Sequence, residues 1–151
     1  MSSDRIEKEI EIRAPVSRVW KALTDYKEFG TWFRVNLEGP FVPGETTRGK
    51  ITIPGFDHVV FQAVAQKIEP ERYFSFTWHP YPIDPEVDYS GEPPTLVEFT
   101  LEKTAKGTLL RVVESGFDRI PASRRAEAYR MNTGGWEGQM KNIATHVGQA
   151  A

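Results

Sequence analysis

Leu110, Val112 and Glu114 share one parity, so a strand here would aim a carboxyl group the same way as its apolar neighbours. A carboxyl at the end of such an inward row could orient a ligand hydroxyl or serve in proton transfer. Its plainer fate is a strand-end carboxylate that reaches water or pairs with an arginine. His79 follows Trp78 where a proline-rich acidic stretch begins, and it could join Glu114 at the mouth of a pocket. A lone histidine beside Pro80 is, on the plainer reading, an exposed loop residue. Glu114 and His79 are the candidate catalytic groups, and neither belongs to a self-sufficient catalytic signature.

Other chemistries lack their residues. The chain has no cysteine, which removes disulfides, thiolate zinc sites, cysteine nucleophiles and ordinary iron–sulfur clusters. His58, His79 and His146 show no metal-ligand spacing, and there is no His-Glu-x-x-His segment. Asp84-Pro85-Glu86-Val87-Asp88 alternates acids but lacks the glycine and terminal glutamate of a calcium loop, so it reads as a solvated acidic loop. No Gly-x-Ser-x-Gly elbow, phosphate loop, kinase motif or dinucleotide fingerprint occurs. The expectation is neither metal nor cofactor.

The elements that would position these groups follow from periodicity. Ile6, Ile10 and Ile12 alternate with Glu7, Glu9, Glu11 and Arg13, which predicts a half-buried strand over 5–13. Val16, Val19, Trp20 and Leu23 then follow helical spacing, with Pro15 suited to the first helical position, predicting a helix over 15–24. Asp25 and Glu28 form a capping-box pattern, and Tyr26, Phe29 and Phe33 extend a second short helix to about residue 32. Runs rich in β-branched and aromatic residues at 46–53, 58–69, 72–79, 96–104 and 107–115 give about six strands with the first, the last two joined at Lys106-Gly107. Residues 80–94, with five prolines and four acids, form a loop that could serve as a lid, with Tyr81 and Tyr89 covering a pocket or simply anchoring the loop.

After Pro121 the period is helical again. Tyr129, Thr133, Trp136, Met140, Ile143 and Val147 fall on one stripe of a helix over 122–148. Gly134-Gly135 within it costs ~1 kcal/mol per glycine relative to alanine, which calls for a close approach to strands or ligand, or a kink.

A chain of 151 residues fits one domain, 1–151, and its 4 Trp, 5 Tyr and 9 Phe supply wide side chains to a modest core. The net charge of -2 gives no general attraction for phosphate backbones or anionic lipid, and nucleic-acid binding is not expected. Arg124, Arg125, Arg130 and Lys141 read as the water-facing flank of the last helix. The charged N-terminus and the lack of a long apolar run predict a cytoplasmic protein without membrane insertion.

The order of these elements resembles the START-like (SRPBCC) superfamily. The residues that carry the likeness are Ala14-Pro15-Val16-Ser17-Arg18-Val19-Trp20 early, Phe76-Thr77-Trp78 centrally, Glu114-Ser115-Gly116-Phe117 before the tail and Gly135-Trp136 with Met140 and Ile143 within it. More narrowly the chain is similar to bacterial homologues of the activator of the ninety-kilodalton heat-shock-protein ATPase, from about Ile6 to Val147. The resemblance implies an α+β helix-grip fold: a curved antiparallel sheet wrapped around the C-terminal helix, with an apolar cavity between them. It does not fix an activity, because members bind lipids or other apolar ligands, cyclise polyketides, or assist chaperones.

On a helix-grip frame Phe61, Ala63 and Ala65 face inward, as do Phe74, Phe76 and Trp78, then Val97, Phe99 and Leu101, then Leu110, Val112 and Glu114, with Tyr129, Thr133, Trp136 and Met140 opposite. The leading expectation is a pocket for a small apolar or aromatic ligand, lined by Phe61, Phe74, Phe76, Trp78, Phe99, Val112, Glu114, Tyr129, Thr133, Trp136 and Met140. Plain core packing is the rival reading of each. A cyclase or aromatase-like enzyme using a pocket acid, or a co-factor docking on a chaperone, are the alternatives.

Overall fold

The computed structural model describes residues 5–56, 59–79 and 93–149. His58 and most of the acidic loop, with Tyr81 and Tyr89, lie outside the described residues. The elements run β1 (Arg5–Ile12), α1 (Val16–Thr24), α2 (Tyr26–Phe33), β2 (Val35–Leu37), β3 (Thr46–Ile51), β4 (Val60–Glu69), β5 (Tyr73–Trp78), β6 (Thr95–Lys103), β7 (Thr108–Ser115), a tight helical turn (Phe117–Arg119) and α3 (Ala122–Gln149). All neighbouring strands are antiparallel, in the order β1-β7-β6-β5-β4-β3-β2. This is the helix-grip arrangement, with one strand more than the sequence pattern predicts.

The extra strand, β2, is three residues long, too short for alternation to stand out. It closes on β3 because Gly49 faces Leu37: a β-carbon there would lie 2.4 Å from the Asn36 carbonyl oxygen. Gly107 in the β6–β7 turn plays a similar part, since a β-carbon would meet the Ile12 carbonyl oxygen at 2.2 Å where β1 leaves the sheet. The pairing of β4 with β5 shifts between Ala65 and Lys67, a bulge that bends the sheet.

Two caps differ from their predicted forms. Pro15 is the N-cap of α1, with φ -61° and ψ 152°, and its carbonyl accepts from the Arg18 and Val19 amides. At α2 only half the capping box forms: the Asp25 carboxylate accepts from the amides of Lys27 (2.9 Å) and Glu28 (3.3 Å). The Glu28 side chain turns instead to Arg18 (2.7 Å) on α1 and His146 (2.9 Å) on α3, tying the three helices together. Burial raises the Glu28 pKa, but hydrogen bonds from His146 and Arg18 outweigh it and hold the carboxyl below 4.5. A lowered folded-state pKa adds stability that is full above the ordinary carboxylate range and is lost as pH falls through the folded value. The thermal midpoint of Glu28→Gln should therefore lie below that of the parent at neutral pH, with the gap closing on acidification; a gap constant across the titration would contradict the junction's role.

The core is a continuous aromatic mass. The Phe76 ring lies 5.3 to 6.5 Å, centroid to centroid, from Phe29, Phe41, Phe61, Phe74, Trp78 and Phe99. Such edge-to-face and offset contacts add to the area these rings bury. Trp32 locks α2 to α1, its indole N–H donating to the Ala22 carbonyl at 2.7 Å. From α3, Ala128, Trp136, Met140, Ile143 and Val147 are buried against the sheet and the short helices.

Candidate functional site

Glu114 is fully buried, with 0% of its surface exposed, and its carboxylate collects four donors from three other elements. Trp78 Nε1 (2.7 Å) from the end of β5 and Thr95 Oγ1 (2.5 Å) from the start of β6 donate to Oε2. Asn132 Nδ2 (2.9 Å) and Trp136 Nε1 (2.8 Å), both from α3, donate to Oε1. The strand registers bring the first pair together: Trp78 faces Thr95 across β5–β6, and Val97 faces Glu114 across β6–β7. The second pair meets the carboxylate because Asn132 and Trp136 are one helical turn apart on one face of α3. Four donors fill the acceptor capacity of an ionised carboxylate. All four are neutral, so the arginine partner that the sequence offers as the plain alternative is not the one used.

Directly over this anchor lies a pocket of ≈ 120 Å³ lined by Phe33, Trp78, Asn132, Gly135, Trp136 and Gln139. Three of the six lining residues are thus fixed by Glu114. The two indoles sit 5.7 Å apart at an interplanar angle of 32°, and Phe33 meets Trp78 at 5.9 Å. The volume falls short of the ~150 Å³ cavity that holds a benzene, and well short of the ~300–1,000 Å³ of sites that enclose a drug-sized ligand. It takes a small head group or part of a ring, with the rest of a larger molecule outside.

The sequence-derived site residues divide by location. Trp78 and Trp136 line the pocket, and Glu114 holds them from behind. Phe61, Phe74, Phe76, Phe99, Val112 and Met140 are buried in the core, the five aromatic and aliphatic strand residues on the inner face of the sheet. Tyr129 is half-buried against Phe117, 5.3 Å between ring centroids, and its hydroxyl donates to the Arg5 carbonyl at 3.0 Å. The Thr133 hydroxyl donates to the Tyr129 carbonyl of its own helix at 2.7 Å. His79 is half-buried just past Trp78. Phe33, Asn132, Gln139 and Thr95 are not among the site residues read from sequence, whereas Gly135 is read there as a point of close approach to strands or ligand; Asn132, Gly135 and Gln139 share helical spacing beside Trp136.

The paired glycines have a different cause from close strand packing. A β-carbon at Gly134 or Gly135 would find no atom within 4 Å. Gly134→Ala should therefore raise the unfolding free energy by about 1 kcal/mol and leave the pocket unchanged, as measured by denaturant unfolding. A loss of stability would mean that the position is constrained after all. Gly135 borders the pocket, so there the missing side chain keeps the opening clear.

Among the described residues no cluster of His, Asp or Glu is placed to hold a metal ion, and no helix is long and apolar enough to cross a membrane. The curved sheet, the long closing helix and the pocket between them define a START-like protein. Within that superfamily the chain belongs to the Activator of Hsp90 ATPase homolog 1-like proteins, whose family model matches residues 13–148. Its fold is similar to that of protein MLL2253 from Mesorhizobium loti, at TM-score 0.77 and 23% identity over 97% of this chain and 98% of that one. DynU16, a protein of the dynemicin biosynthetic locus, aligns at TM-score 0.75 and 26% identity over 97% of this chain, which spans only 48% of DynU16. CalU16 from Micromonospora echinospora aligns at TM-score 0.61 and 22% identity, over 95% of this chain and 74% of that one. No curated protein matches.

Proposed function

We propose that this protein binds a small, largely apolar or aromatic molecule, whose ring or head group enters the pocket over Trp78 and Trp136. The observation that carries the reading is the pocket itself, walled by Phe33, Trp78 and Trp136, with Asn132 and Gln139 as its polar groups. Burial of apolar surface supplies the affinity at ~25 cal/mol per Å², and the two amides supply orientation. Probes that fill only this space bind in the ~millimolar range, because so few atoms make contact. In this account Glu114 positions the walls and does not act on the ligand, since its lone pairs already accept four hydrogen bonds.

The test is a thermal-shift series with phenol and related single-ring compounds, run beside native mass spectrometry for a co-purified molecule. A concentration-dependent rise in the midpoint, absent in Gly135→Leu, is expected. No rise with any compound, or a rise that persists in Gly135→Leu, would contradict the reading.

A cyclase or aromatase-like activity is a second reading, favoured by the likeness to DynU16 and its place in a biosynthetic locus. It needs an acid and a base converging on substrate, whereas none of the six described lining residues carries an ionisable group. Docking on a heat-shock ATPase, suggested by the family description, is a third reading. Failure of this protein to alter the ATPase rate of the heat-shock protein from the same cell would count against it.

A further inference from the structure

Of the four large hydrophobic side chains that stand exposed among the described residues, two lie on the hairpin that joins β3 to β4: Phe56 at 45% and Val60 at 50%. Single exposed apolar residues are ordinary, but these two share one tip. The backbone braces Phe56 there, its amide donating to the Ile53 carbonyl and its carbonyl accepting from the Val59 amide, both at 2.9 Å. Ile53 in turn packs against the core. The fold thus presents a half-exposed phenyl ring on a braced apex.

The surroundings of that apex are cationic. Lys50 faces Val60 across the β3–β4 pair, and Arg48 faces Gln62 further from the tip. Gly49, Ile51 and Phe61 are buried while Lys50, Arg48 and Val60 are exposed, so the cations and Val60 share the outer face of the sheet. Arg34, exposed at the end of α2, is tied to the base of the hairpin by its carbonyl, which accepts from the Thr52 amide at 2.9 Å. Residues 34–37 and 46–62 together carry these three cations against one acid, Asp57, in a chain whose net charge is -2. No ion pair links Arg34, Arg48 or Lys50 to another described residue, and Arg48 reaches only the neutral Gln62 side chain, at 3.4 Å.

Depth sorts the two kinds of side chain. Phe56 is outermost, Val60 and Lys50 follow, and Arg48 lies two residues, ~7 Å, behind Lys50. An apolar apex with cations set behind it matches the layering of a membrane surface, where anionic head groups lie outside the acyl chains and long basic side chains reach back to them. A nucleic acid would call for a longer cationic track interleaved with stacking rings.

We propose that the β3–β4 hairpin docks on a membrane surface carrying anionic lipid. Phe56 and Val60 enter the boundary of the acyl chains, and Arg34, Arg48 and Lys50 meet the head groups. One ring and three charges make this attachment peripheral and reversible. Docking does not require the pocket to be filled, but it brings the pocket near the lipid: Trp78 faces Ala63, three residues along β4 from Val60.

The test is co-sedimentation of the unaltered protein with vesicles of phosphatidylcholine alone or mixed with phosphatidylserine. Binding should be at least about tenfold tighter to the mixed vesicles and should weaken as salt is raised. Arg48→Gln combined with Lys50→Gln should weaken it roughly thirtyfold, and Phe56→Ser roughly fivefold. Both variants change exposed side chains, so their circular dichroism should match that of the parent. Equal binding to the two kinds of vesicle overturns the proposal. Binding to neither overturns it as well, and leaves the surface to an acidic protein partner. Undiminished binding by both variants would place the contact elsewhere and equally overturn it.

Discussion

Glu114→Gln should lower the unfolding free energy by about 3 kcal/mol, a large share of the ~5–15 kcal/mol that holds a domain of this kind. Glutamine keeps the shape of the side chain but replaces one acceptor oxygen with an amide nitrogen. Whichever way the amide turns, its N–H₂ faces two of the four donors, either Trp78 and Thr95 or Asn132 and Trp136. The Thr95 hydroxyl can rotate, and the Asn132 amide can flip, to accept; the indole N–H of each pair cannot. At least one buried N–H is then left without a partner, at ~1–3 kcal/mol, and the remaining bonds lose the charge assistance of a carboxylate. Denaturant unfolding would show the loss as a lower midpoint with an unchanged slope. A loss under about 1 kcal/mol would mean that the four bonds do not anchor the strands to α3. Trp78 and Trp136 should also lose their fixed orientation, so ligand affinity should fall along with stability.

Gly135→Leu is expected to move stability and binding in opposite directions. Leucine is favoured over glycine in a helix by ~0.8 kcal/mol, and the first added carbon meets nothing within 4 Å. The fold should therefore hold or gain slightly. The same side chain would occupy the opening between Trp136 and Gln139, and ligand affinity should fall at least about tenfold, the equivalent of ~1.4 kcal/mol. A variant that is more stable yet still binds would remove the pocket from the account. Loss of both properties would instead show that the glycine serves the fold. Gly134→Ala, one residue away but outside the pocket lining, supplies the matched control.

Local chemistry made most of the architecture legible. The alternation in β1 and β7, the helical stripe from Trp136 to Val147 and the turn at Gly107 each announce themselves within a few residues. What escaped depends on contacts between distant segments. β2 exists because Gly49 on β3 admits it, and Glu28 abandons half of a capping box because Arg18 and His146 compete for its carboxylate. Parity alone placed Glu114 facing inward. It could not show that indoles from positions 78 and 136 converge on that carboxylate, because register and helix docking set their approach, and neither is written in spacing. The rings expected to line the pocket, Phe61, Phe74, Phe76 and Phe99, are packed into the aromatic mass, and the pocket over Trp78 and Trp136 lies beside it.

The indole N–H resonances offer the most direct test, since the chain has only 4 Trp, of which two lie at the site and two away from it. Trp32 is bound to the Ala22 carbonyl in the core, while Trp78 and Trp136 share Glu114 beside the pocket. On titration with phenol, the signals of Trp78 and Trp136 should shift together and saturate while those of Trp20 and Trp32 stay still. Equal movement of all, or no movement of the pair bound to Glu114, would contradict a ligand site built on that buried carboxylate.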